Sequence, residues 1–222
     1  MSDLWSPLLF SLVVASAAST LVVLTGVPLA YFSARRSFPG KSLLEAALTV
    51  PLVLPPTVVG YFLIVLLGRS GWIGTYIAKL TGGYTILFRP EGAVLAAAAV
   101  SFPLLYLPAK AAFASVDRDL EDIAKLMGAG AFQTFWHVSL PMARRGIAAG
   151  LLLTFARSLG EFGATTMLLG EFPNRQTLPI SIYNDWIDGQ MGHAAPAVWA
   201  LTSISLLVIL SYNRWPATAG RD

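Results

Sequence analysis

The chain has 222 residues, 55% hydrophobic and 12% charged, with a formal net charge of +3. About half the charge of a soluble domain, with apolar residues gathered in runs of about twenty, excludes an ordinary soluble domain and a barrel of short alternating strands. The lack of cysteine excludes disulfides, thiolate metal sites and cysteine nucleophiles.

The start, MSDLWSPLL, has no basic n-region and carries Asp3, so the first apolar run is expected to stay as a helix rather than be cleaved. Spans are expected at about residues 8–32, 43–67, 92–113, 146–169 and 194–212, an all-α polytopic membrane protein of one domain. Sorted by side, ten basic residues (Arg35, Arg36, Lys41, Lys110, Arg118, Lys125, Arg144, Arg145, Arg214, Arg221) face four (Arg69, Lys79, Arg89, Arg175). Arg157 lies inside the fourth span. The richer side is expected to be cytoplasmic, which puts the N-terminus outside, the C-terminus inside and residues 114–145 in the cytoplasm.

The second span holds Pro51, Pro55 and Pro56, with Gly60 just beyond. Proline lacks a backbone donor and clashes with the preceding turn, so a kink or local unwinding is expected there. Such breaks line cavities or move; a static kink filled by packing is the alternative. Residues 68–91 are partly apolar but split by Lys79, Gly82 and Gly83, and are expected as a surface or partly re-entrant segment. Residues 171–193, with Pro173, Asn174, Asp185 and Asp188, are expected as a polar outer loop.

Between the third and fourth spans lies an island, Leu120 to Pro141, LEDIAKLMGAGAFQTFWHVSLP. Leu120, Ile123, Ala124, Met127, Ala131, Phe135 and Val138 fall at steps of three and four, on one side of a helix. Gly128 and Gly130 interrupt the pattern, which predicts two short helices with a bend. The island can lie on lipid, although Asp119, Glu121 and Asp122 suit anionic lipid poorly. It can pack on itself, or dock into a partner's groove with Phe132, Phe135 and Trp136 as anchors.

In the fourth span Arg157 and Glu161 are four apart and share a helix face. Charges at that depth are paired or face water. Two readings stand: an internal ion pair, or an arginine that helps an anion pass while Glu161 positions it. Gly160 and Gly163 alongside suggest close helix approach.

Other motifs carry nothing. Gly40-Lys41-Ser42 ends like a P-loop, but the first glycine of that motif would fall on Arg35, and Pro39 removes a donor from the cradle; ATP binding by this chain is not expected. His137 and His193 lack a second ligand at metal spacing. No hydrolytic set is evident, so no enzyme activity is expected. Trp5, Trp72, Trp136, Trp186, Trp199 and Trp215 mostly lie near span ends, as interface anchors do. Nothing points to nucleic acid.

Asp122-Ile123-Ala124, Gly128 and Val138-Ser139-Leu140-Pro141 resemble the EAA loop of ABC-importer permeases: Glu-Ala-Ala, three residues, Gly, nine residues, Ile-x-Leu-Pro. The spacing is kept in full. Asp122, Ile123 and Val138 replace Glu, Ala and Ile, and Glu121 stands one position from the expected Glu. RRSFPGKS, VPLVLPPTVVG, ARSLGEFGATTMLLGEFP and NRQTLPISIY extend the resemblance, over most of residues 8–212, to the molybdate permeases of that superfamily.

The resemblance implies a type I ABC-importer permease fold and a homodimer. It implies two copies of a cytoplasmic ATPase, which holds Mg-ATP in place of this chain, and an external oxyanion-binding protein. Glu121, Asp122, Ala124, Gly128, Ala129, Phe132, Phe135, Trp136, Leu140 and Pro141 would form the ATPase-coupling loop, with Gly128 as the bend and residues 129–137 as the docking helix. Pro51, Pro55, Pro56, Arg157, Ser158 and Glu161 would belong to the pathway or its gate. Sulfate, thiosulfate or tungstate permeases are the near alternatives. A self-contained secondary transporter is the remote one, and no internal inverted repeat is evident to support it.

Overall fold

A computed structural model describes residues 4–170 and 175–214. Expectations involving Asp3, Pro173, Asn174, Trp215 and Arg221 lie outside the described residues. Every regular element among the described residues is helical. In order they are α1 (Trp5–Arg35), α2 (Lys41–Thr49), a 3-10 turn (Val50–Leu52), α3 (Pro56–Leu67), α4 (Trp72–Thr81) and α5 (Pro90–Ala114). Then come α6 (Arg118–Leu126), α7 (Ala131–Thr134), a π turn (Phe135–Ser139), α8 (Leu140–Leu159), α9 (Gly163–Leu169), α10 (Leu178–Ile187) and α11 (Met191–Arg214).

The centre is built from α1, α5 and α8. Without a hydrophobic drive between helices in lipid, close backbone approach must come from small side chains. Ala15, Ala18 and Ala30 of α1 and Ala93, Ala97 and Ala109 of α5 are all buried there, and Leu105, Tyr106 and Phe113 fill the remaining space. Tyr31 meets Phe113, and Arg35 donates to the Val116 carbonyl, so α1 and α5 run in the same direction toward the island. At the far end Ser11 Oγ accepts from the Leu178 N–H at 2.7 Å. Residues 36–89 must therefore return from the island end to the far end, and α2 and α3 carry that return.

Among the described residues three helices, α1, α5 and α11, are long and apolar enough to cross a membrane unaided. The second expected span is broken far more sharply than a kink: Lys41–Leu52 and Pro56–Leu67 meet at 119°. At 1.5 Å per residue α2 and α3 are only about 14 and 18 Å long, so neither alone crosses a hydrocarbon core of about 30 Å. The cause is local. Pro51 sits in the 3-10 turn, Pro55 takes extended ψ, and Pro56 restarts the helix at its first position, where its missing N–H costs nothing. The fourth span, expected as one helix, is also broken, by 59° between Leu159 and Gly163.

Three boundaries differ from the sequence reading. Residues 68–91 contain a ten-residue surface helix, α4, with Trp72, Tyr76 and Leu80 exposed four residues apart. Residues 171–193 contain α10 rather than loop alone. The island passes without a loop into α8, so the expected boundary at 145 falls inside a helix.

Candidate functional site

Asp117 opens α6 by accepting the Asp119 N–H at 3.0 Å. Its exit is a Schellman turn: the Gly128 N–H reaches Lys125 O at 2.9 Å and the Ala129 N–H reaches Ala124 O at 3.0 Å. Gly128 has φ 91°, a left-handed conformation that glycine alone takes freely. Gln133 Oε1 then accepts the Gly130 N–H, opening α7. The expected bend thus has a full hydrogen-bonding account.

Pro141 explains the next turn. It cannot donate to the carbonyl four residues back, and the helix widens: the Leu140 N–H reaches Phe135 O, five residues away. The wide turn keeps Leu140 against the core and carries the chain into α8.

Glu121 is 5% exposed and holds the island to the bundle. Its Oε1 accepts from Arg35 Nε at 3.0 Å, Arg35 Nη2 at 2.7 Å and Ser139 Oγ at 2.6 Å. Arg35 Nη2 also donates to Val116 O at 3.0 Å. One carboxylate thereby joins the end of α1, the start of the island and the start of α8. Sequence spacing alone selects Asp122 as the motif's acid, but Asp122 is exposed and pairs with Lys125 at 2.7 Å. The hydrogen bond and charge of Lys125 lower the Asp122 pKa, and the same contact raises that of Lys125.

The apolar side of α6 faces outward. Leu120, Ile123, Leu126 and Met127 are exposed, and so are Phe132 at 74% and Trp136 at 49%, with their rings 6.0 Å apart. Phe135, grouped with them in the sequence reading, instead turns inward. Its ring lies 4.9 Å from that of Tyr31 and 6.1 Å from that of Phe113, and Thr134 beside it is buried. Ala124 and Ala129 are half-buried, and Pro141 is exposed.

The proline and arginine sites come together through α3 and α9. A Cβ at Gly60 of α3 would lie 3.0 Å from Ala164 Cα, and one at Gly163 of α9 would lie 3.2 Å from Thr57. The halves of the two broken spans that lie away from the island therefore pack through paired glycines. At the second break Glu161, 1% exposed, has two duties. Oε1 accepts the Ala164 N–H at 2.9 Å, and Oε2 lies 2.7 Å from Arg157 Nη1. The latter contact is short without hydrogen-bond alignment, so charge rather than directionality holds it. Ser158 turns away from this pair and donates to Ser101 Oγ at 3.0 Å.

The model of the binding-protein-dependent transport system inner membrane component matches residues 26–217. The chain belongs to this family. It is 41% identical over 220 residues to the molybdenum transport system permease protein ModB of Escherichia coli (strain K12), covering 98% of this chain and 95% of that one. A putative molybdenum transport system permease protein of Bacillus subtilis (strain 168) is 39% identical, over 94% of this chain and 92% of its own length. The sulfate transport system permease protein CysW of Synechococcus elongatus is 34% identical, over 91% and 70%. Among solved structures, a bacterial alginate ABC transporter bound to its periplasmic protein matches with TM-score 0.74 and 17% identity, over 96% of this chain and 78% of that one. An inward-facing MetNI methionine ABC transporter matches with TM-score 0.67 and 16% identity, over 96% and 97%. The fold is that of a type I ABC-importer permease.

Two partners of Glu121 escaped the sequence reading. In the sequence Arg35 stands as a basic charge and as the first residue of RRSFPGKS, and Ser139 as the free position of the motif; neither pattern points to Glu121. The available signal was a lone Glu on the face of α6 away from its apolar stripe.

Proposed function

We propose that this chain is the membrane subunit of an ATP-driven molybdate importer, working as a homodimer with two copies of a cytoplasmic ATPase and an external oxyanion-binding protein. In this reading the chain crosses the inner membrane five times, α2–α3 and α8–α9 each making one broken crossing, with the N-terminus outside and the island in the cytoplasm. ATP is bound and hydrolysed by the partner, since this chain carries no P-loop.

The observation that carries the coupling role is the outward apolar face of the island. Phe132 and Trp136 stand exposed on a segment that Glu121 and Phe135 hold to the bundle. A rigid mount with an aromatic face is what transmits a push from a partner; Phe132 and Trp136 touch it, while Glu121, Phe135 and Leu140 position them. Phe132→Asp with Trp136→Asp is expected to lower ATPase recovery on a tagged permease at least tenfold, each lost aromatic anchor costing about 2 kcal/mol. The thermal midpoint of the permease alone is expected to fall by no more than a few degrees, because Phe132 is largely exposed and Trp136 half exposed against the Phe135 ring. Undiminished ATPase recovery would sink the coupling role.

Movement is assigned to the paired outer halves. α3 and α9 are each joined to the rest of their span by a break and pack on one another and on α5, which makes the two breaks the gate candidates beside Arg157. Molybdate is supported by the molybdenum permeases among the relatives. The sulfate permease at 34% identity keeps sulfate as a second reading. Uptake of labelled molybdate into cells carrying the complete transporter is expected to persist in excess sulfate and to collapse with excess unlabelled molybdate; the reverse pattern reassigns the substrate.

A further inference from the structure

Beside the Glu121 knot lies a cavity of about 460 Å³, lined among others by Phe32, Arg35, Arg36, Arg118, Asp122 and Lys125. That size falls in the range of small-ligand sites. Four of these six side chains are cationic. Glu121 takes up Arg35, and Asp122 takes up Lys125. Arg36 and Arg118 have no carboxylate within ion-pair distance among the described residues, although the Arg118 charge does reach Asp122, so the cavity keeps two guanidinium groups without a direct ion pair.

Its placement narrows the ligand. Arg35 ends the 31-residue apolar helix α1 and Arg36 follows it in extended backbone, while Phe32 and Tyr31 extend that helix's apolar surface into the cavity wall. The cavity therefore sits where hydrocarbon gives way to the headgroup layer. At 100° per residue, Arg118, Glu121, Asp122 and Lys125 occupy one face of α6, and Leu120, Ile123 and Met127 the opposite one. Ala131 and Thr134 of α7 also line the cavity; at 100° per residue they lie away from Phe132 and Trp136, so a protein seated on those two rings approaches from the other side of that helix. Guanidinium forks match phosphate oxygens bidentately, and basic pockets between membrane helices hold anionic headgroups.

We propose that this cavity binds a phosphate group, with Arg36 and Arg118 as its direct ligands. The group comes either from an anionic phospholipid or from free phosphate. The inference does not depend on which substrate is transported.

The test uses the full chain in nanodiscs of phosphatidylcholine alone or mixed with phosphatidylglycerol, with bound lipid counted by native mass spectrometry. Inorganic phosphate is titrated separately against the thermal midpoint. Wild type is expected to retain phosphatidylglycerol over phosphatidylcholine, and Arg36→Ala with Arg118→Ala to weaken retention about fivefold per basic group lost. Arg144→Ala, outside the cavity, is expected to change nothing. Arg36→Lys with Arg118→Lys should recover part of the binding, which shows that the fold is intact. Stabilisation by inorganic phosphate without lipid preference supports the site and places its ligand in solution. Equal binding of both probes by wild type and the double alanine variant overturns the proposal. So does loss of ATPase recovery in that variant with phosphate binding unchanged, which would make the surface a protein contact.

Discussion

Glu121→Ala is expected to lower the thermal midpoint of the solubilised permease by about 10 °C and to release the proposed ATPase partner. The carboxylate and its Arg35 partner are nearly buried, their side chains 7% and 10% exposed. Breaking a buried pair costs about 3–5 kcal/mol because the surviving charge is stranded. The residual exposure favours the lower figure, about 3 kcal/mol, and each kilocalorie corresponds to about 2–4 °C at this chain length. Glu121→Gln should fall between, because an amide oxygen still accepts from Ser139 and Arg35. Arg35→Leu with Glu121→Leu removes both charges, and is expected to recover most of the stability lost by Glu121→Ala. If that pair also recovers ATPase binding, the knot acts only by holding the island in place. An unchanged midpoint in Glu121→Ala would show that the knot holds nothing.

The knot also marks where sequence reading reaches its limit. The helical island, its bend at Gly128 and the exposure of Phe132 and Trp136 follow from local patterns: a glycine at the left-handed position and aromatic residues on a polar background. The inward turn of Phe135 depends on Tyr31 and Phe113, far away in sequence, and no periodicity within the island reports them. The stripe of α6 was legible as a stripe, but not its direction. In a soluble protein an apolar face turns to the core, whereas here a buried ion pair holds the opposite face inward. The two broken spans divide similarly. Three prolines announce the first break. The second has no proline and depends on Glu161 capturing the Ala164 N–H, a contact three residues long that composition does not reveal.

Arg157→Ala is expected to destabilise the permease strongly. It leaves Glu161, 1% exposed, with no counter-charge, and a stranded buried carboxylate costs about 3–5 kcal/mol. Little folded permease should survive extraction. Exchanging the partners, Arg157→Glu with Glu161→Arg, restores the charges but is expected not to restore assembly. Arginine has no acceptor for the Ala164 N–H, so the start of α9 loses the group that holds it. Arg157→Lys separates pairing from anion handling, since it keeps the charge beside Glu161 and loses the planar fork. The Arg157 side chain is 33% exposed while its partner is buried, so the cationic half of the pair reaches open surface. Arg157→Lys is therefore expected to keep the thermal midpoint within a few degrees and to lower molybdate uptake about tenfold, the loss of about 1.4 kcal/mol of bidentate anion contact. Uptake equal to wild type at an unchanged midpoint would make Arg157 a structural counter-charge and nothing more.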